Sequence, residues 1–176
     1  NKIISMGHLV IGVDSSTQST KAIAWDKNGS NIAEGRCDIA LHNPSLEKFE
    51  QNVEDWWNAF CVSCNELSKK INMDDVDAIA ISNQRETLAK LDSNGKAVYP
   101  ATVWMDKRSV EEVEELNEII GGNRIHEITG RPKDPCPCLY RIFWLKKNEP
   151  EIFDQVHCFA DVQSFLVHRL SGEFNT

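Results

Sequence analysis

Apolar and β-branched residues run from Leu9 to Val13 and stop abruptly at Asp14-Ser15-Ser16-Thr17. Such a run predicts a buried strand that feeds a polar turn. Strand character resumes over residues 20–26, and Lys27-Asn28-Gly29-Ser30 holds an Asn-Gly pair, a strong hairpin signal. Residues 31–40 fit a third strand, so the chain is expected to open as an antiparallel meander whose first turn is polar. A loop is expected over 44–51. Asn52 then caps a helix with Glu54 and Asp55 in its first turn, where acids complement the helix dipole. Apolar positions 53, 56, 57, 60, 64, 67 and 71 give that helix one buried face, with Trp56 and Trp57 in the core or an interface.

The second half alternates strands with helices. Residues 76–82 and 88–91 read as strands, the latter followed by a hairpin turn over 92–96, and 101–104 as a short apolar strand. An acidic helix over 109–120 is capped by Ser109 and ended by Gly121-Gly122. A short helix over 123–129 stops at Gly130 and Pro132. A helix over 139–147 carries apolar residues at 139, 142, 143 and 145. A strand over 156–160 leads to Asp161, the expected cap of a helix over 162–170. Strands first, then strands alternating with helices, predict an α/β domain on a mixed sheet. Met6 reads as a natural start, with residues 1–7 an extension or cloning remnant and the domain over 8–176. The last residues follow a helix directly, which reads as a piece of something longer.

Composition narrows the function. Among 176 residues, 19 are Lys or Arg and 27 are Asp or Glu, a formal net charge of −8 with no basic run. Nucleic acid is therefore excluded as the main partner, since a phosphate backbone calls for a basic footprint. No stretch of about 18 apolar residues exists to span a membrane. The six cysteines fit reduced structural thiols of a cytoplasmic protein. Cys61 and Cys64 have a metal-like spacing, but no second pair follows to complete about four ligands.

Three polar clusters carry candidate chemistry. Asp14 enters a bend of hydroxyl residues with Lys21 nearby, an inventory that fits phosphate together with a divalent cation. A hydrophilic hairpin turn needs the same residue types, and both readings stay open. Asn83-Gln84-Arg85-Glu86 stands at the end of a strand, where ligands gather in α/β sheets. Its donors and acceptor suit the hydroxyls of a polyol, or equally a surface ion pair. Trp104-Met105-Asp106-Lys107-Arg108 sets an aromatic before charges, either as a platform for a sugar's C–H face or as core.

These motifs together carry a resemblance. The segment from Asp14 to Lys21 resembles the first phosphate motif of the sugar-kinase, heat-shock and actin ATPase superfamily. Asn83-Gln84-Arg85-Glu86-Thr87, the run from Tyr99 to Arg108, and Phe159-Ala160-Asp161 through Leu170-Ser171-Gly172-Glu173 resemble the FGGY carbohydrate kinases. The likeness runs in order from Leu9 to the last residue.

The resemblance implies a ribonuclease H-like, actin-like ATPase domain, one of two around a cleft. It implies ATP and Mg²⁺ as cofactors and a small sugar or polyol as substrate. Asp14 is then expected to organise Mg²⁺ through water. Thr17, Gln18, Ser19 and Lys21 face the ATP phosphates; Arg85, Glu86, Trp104, Asp134 and Cys136 line the substrate site. The general base is an Asp of the second domain, outside this chain, so the chain alone is expected to be inactive. A homodimer is compatible with the full-length protein. Two departures matter. Ser16 stands where many relatives have Gly, which alters the backbone approach to phosphate. Cys136 stands where glycerol kinases place a Tyr, which favours a pentulose such as xylulose over glycerol. A non-catalytic nucleotide- or sugar-binding module is the alternative of another class.

Overall fold

In the computed structural model the described residues are 7–174. The expected start at Met6 and residues 1–6 of the expected extension lie outside them. The described chain forms two compact units. The first holds residues up to Ala40, Asn52–Gln84 and the part from Val162 onward; the second holds Leu41–Gln51 and Arg85–Asp161.

The first unit is built on β1 (Leu9–Ser15), β2 (Ser19–Trp25), β3 (Asn31–Asp38) and β6 (Val76–Asn83), ordered β3-β2-β1-β6. β1 pairs antiparallel with β2 and parallel with β6. The opening is thus the expected meander, extended to a mixed sheet by β6. Leu9, Ile11 and Val13 point to the buried face, as period-2 alternation requires. The β2–β3 turn is held by Asp26, whose Oδ1 accepts from the backbone N–H groups of Asn28 and Ser30. These contacts, the Ser30 N–H foremost, lower the Asp26 carboxyl below its ordinary value. Gly29 takes φ 77°, which the turn requires.

Helix α1 (Val53–Ser68) covers the buried face, and Asn52 accepts the Glu54 N–H as its cap. Trp56 is fully buried and meets Phe165 edge to face at 5.9 Å. Phe165 belongs to α6 (Val162–Ser171). At Gly35 of β3 the helix passes so near that an added Cβ would lie 2.1 Å from the Ser63 carbonyl oxygen. Glycine is therefore required there by packing.

The second unit carries an antiparallel sheet ordered β4-β5-β8-β7-β9, from β4 (His42–Ser45), β5 (Lys48–Gln51), β7 (Leu88–Leu91), β8 (Ala97–Thr102) and β9 (Cys158–Ala160). The expected loop over 44–51 is thus largely two short strands, and the expected strand over 101–104 is an earlier one that ends at Thr102. Four helices join it: α2 (Val110–Ile120), α3 (Arg124–Thr129), α4 (Cys138–Asn148) and α5 (Pro150–Phe153). The short α5 was not expected; Pro150 at its first position supplies a preset helical φ. Ser109 precedes α2, but its side chain makes no capping bond, contrary to expectation. Its hydroxyl is buried without a hydrogen-bond partner.

Val113, Leu116, Ile125 and Tyr140 form the helical core of this unit. In α4 the buried side chains are Tyr140, Arg141 and Leu145. The face read from apolar spacing is therefore rotated by about one residue, because an arginine occupies the inside. No helix among the described residues is long and apolar enough to cross a membrane.

Candidate functional site

The first unit presents the Asp14 cluster. Asp14 stands at the carboxyl end of β1, exposed, opposite Lys21 in the β1–β2 register and beside Ser82 in the parallel register with β6. Its carboxylate accepts the Ser16 hydroxyl at 2.7 Å and the Ser82 hydroxyl at 3.3 Å. The turn is closed by the Ser16 N–H, which donates to the Ser19 carbonyl at 2.9 Å. Thr17 and Ser19 are half-buried in this turn and Gln18 is exposed.

Ser15 and Thr20 point the other way: both are buried and their hydroxyls lie 3.0 Å apart. The hydroxyl-rich bend is therefore divided, with two members serving packing. Lys21 pairs with Glu34 at 3.1 Å, and that bond holds the Glu34 carboxyl below its ordinary value. Its cation is partly engaged by that carboxylate. Asp14 and Lys21 border an open groove of about 350 Å³ walled by Gly12, Ile23, Trp25 and Ala80.

Among the described residues no group of three or more His, Cys, Asp or Glu side chains converges to hold a metal. A lone carboxylate with hydroxyl neighbours fits a hydrated divalent cation, which Mg²⁺ prefers, and does not fit a protein-built cage. Cys61 and Cys64 are free, and burial pushes the Cys64 thiol up to about 11. A thiol held protonated is a poor ligand.

The second unit presents the Glu86 cluster. Glu86 has φ 56°, the one non-glycine residue with positive φ among the described residues. Its carboxylate accepts the Cys138 N–H at 2.9 Å and pairs with Arg131. The first turn of α4 supplies that N–H, where helix geometry leaves donors unsatisfied. Asp134 accepts the Cys136 N–H at 2.7 Å, which shapes the loop ahead of α4. Cys136 and Cys138 are free thiols, half-buried.

Trp104 follows β8 with 44% of its surface exposed, and its backbone N–H donates to Thr87 Oγ1. Arg85 is exposed and makes no salt bridge among the described residues. The structure therefore brings Glu86, Cys136 and Asp134 into linked loops of one unit. Sequence reasoning missed Arg131 and the buried Arg141, which reaches the same segment. Arg131 lies between Gly130 and Pro132, and nothing in that spacing marks its partner.

The model of the FGGY family of carbohydrate kinases, N-terminal domain, matches residues 9–176. The chain belongs to that family. It is 32% identical to a glycerol kinase of Thermococcus kodakarensis over 97% of this chain and 35% of that one. It is 31% identical to a xylulose kinase of Streptomyces rubiginosus, again over 97% of this chain and 35% of the other. The solved gluconate kinase of Lactobacillus acidophilus shares the fold with a TM-score of 0.89 at 24% identity, over 95% of this chain and 34% of that chain. The FGGY fold, an α/β actin-like architecture, is thus the expected one. The chain spans about a third of the length of the curated relatives it matches.

Proposed function

We propose that this chain is the N-terminal, phosphate- and acceptor-binding part of an ATP-dependent sugar or polyol kinase acting in the cytoplasm. The observation that carries this reading is Asp14, held exposed at a strand's carboxyl end by two hydroxyl donors with Lys21 directly across. Thr17, Gln18, Ser19 and Lys21 take the phosphates of ATP through hydroxyl, amide and ammonium donors. Asp14 orients the water shell of Mg²⁺, which supplies charge neutralisation at the phosphates when bound.

On the acceptor side, Glu86 receives a substrate hydroxyl and Arg85 donates to a neighbouring one. Trp104 packs the C–H face, with Asp134 and Cys136 shaping the rim. In the reaction the acceptor oxygen bonds to the γ-phosphorus as the bond to the β-phosphate oxygen breaks, and a base takes the hydroxyl proton. That base is an Asp of the remaining part of the protein. Residues of this chain bind and orient, the main source of rate in phosphoryl transfer.

A pentulose such as xylulose is the favoured acceptor, because Cys136 offers no phenol ring to close the site around a three-carbon polyol. Glycerol is the second reading, supported by the 32% identity to a glycerol kinase. The test is sugar-dependent ADP release by the whole protein with D-xylulose, L-ribulose, D-ribulose, glycerol and erythritol. The highest kcat/KM is expected with a pentulose. Glycerol as the best substrate would overturn the pentulose assignment. Turnover with none would leave the binding-module alternative. Arg85→Ala is expected to raise the acceptor KM roughly tenfold or more, the worth of one charged hydrogen bond. An unchanged KM would remove Arg85 from the site.

A further inference from the structure

Arg141 is a buried guanidinium, 1% exposed, that makes no salt bridge among the described residues. Burying a charge without a counterion is costly, and a Met or Leu would fill the same space without that cost. What the arginine gains is a set of acceptors drawn from three segments of one unit. Nη2 donates to the Glu86 carbonyl and, at 3.4 Å, to Cys138 Sγ. Nη1 reaches the carbonyls of Val103 and Trp104, each at 3.4 Å.

Two of those residues, Glu86 and Trp104, are the proposed acceptor contacts, and Cys138 is the helix start whose N–H holds the Glu86 carboxylate. Glu86 also needs support, because a left-handed backbone strains a non-glycine residue and persists only where its surroundings fix it. A planar guanidinium fork can supply it. Its donors have fixed directions, so it sets carbonyls from separate loops at fixed spacing. Lys90, also fully buried, directs its three hydrogen bonds to Leu88, Pro100 and Thr102, with its amine over the Tyr99 ring, and to neither acceptor residue.

We propose that Arg141 is the positioning residue of the acceptor site: it ties the Glu86 and Trp104 backbones together, so that one carboxylate and one aromatic face meet the same polyhydroxylated substrate. The inference rests on the reading of Glu86 and Trp104 as acceptor contacts. It predicts a loss confined to the acceptor. In the whole protein, Arg141→Met is expected to raise the sugar KM on the order of tenfold while the ATP KM stays within about twofold. Arg141→Lys keeps the charge and a single donor nitrogen but not the planar fork, so its sugar KM is expected between those of the wild type and Arg141→Met.

Far-ultraviolet circular dichroism and the Tm establish that each variant is folded. A folded Arg141→Met protein with an unchanged sugar KM would overturn the proposal, as would equal increases in the sugar and ATP KM values. If Arg141→Met does not fold, Arg141→Lys decides: a sugar-specific increase supports the role and a wild-type sugar KM overturns it. Glu86→Gln, measured alongside, separates this inference from the reading beneath it. No effect of Glu86→Gln on the sugar KM overturns both. An effect of Glu86→Gln with none of Arg141→Met overturns only the role of Arg141.

Discussion

Lys90 sits in β7, an inner strand of the second unit's sheet, with 1% of its surface exposed. Burial pushes its ammonium well below the ordinary lysine value of 10.5, and the nearby Arg108 and Arg141 add to the effect. The unfolded chain therefore binds more protons than the folded one between the depressed value and 10.5. Stability must rise with pH across that window. The wild type is expected to gain Tm relative to Lys90→Met as pH increases from 7 toward 10, measured by thermal unfolding at fixed ionic strength; a Tm difference independent of pH would show that Lys90 does not titrate this way. Lys90 was not legible in the sequence. A lysine in a short strand reads as solvent-facing, whereas β7 is covered on both faces and all its residues are buried. The same counting hid Arg141 in α4. The place of Asp14 at a strand end, opposite Lys21, was legible, because an apolar run that breaks into hydroxyl residues marks where a strand gives way to a turn. The left-handed Glu86 was not, since nothing in its side chain signals positive φ.

At the scale of elements, hydrophobic period placed β1, β2, β3, β6 and α1 close to where they lie, because each has one strongly apolar face or run. The short β4 and β5 escaped: β4 is exposed throughout and contains Asn43 and Pro44, residues that read as loop. The turns were the most legible features. Asp92 accepts the Asn94 and Lys96 N–H groups just as Asp26 serves its own turn, and each turn has an Asn-Gly pair. The contact of β3 with α1 gives a stability prediction. Gly35→Ala would press a methyl against the Ser63 carbonyl and within 2.8 Å of Glu66 Cβ. The helix must shift, at a cost of about 1–3 kcal/mol or more for overpacking. A clear fall in Tm is expected, and an unchanged Tm would mean that α1 moves freely over the sheet.

At the scale of the whole molecule, two compact units carry different parts of the proposed chemistry, the Asp14 hairpin in one and the Glu86 cluster in the other. Family and fold were legible because three motifs recur in order; the acceptor was not, since matched relatives act on glycerol and xylulose by name at 32% and 31% identity. Residues 1–176 alone are expected to release no ADP in a sugar-dependent manner, because the proposed base lies elsewhere. Sugar-dependent turnover by this segment would contradict that. The central claim is that the Asp14 hairpin is the phosphate and metal loop of a kinase. It is tested most directly by sugar-dependent ADP release from the whole protein with Asp14→Ala beside the wild type. Asp14 is exposed at a strand end, so the substitution is expected to leave the Tm nearly unchanged and to reduce kcat by at least a hundredfold, on the order of 3 kcal/mol of lost stabilisation. Turnover by a folded Asp14→Ala protein at the wild-type rate would contradict the account.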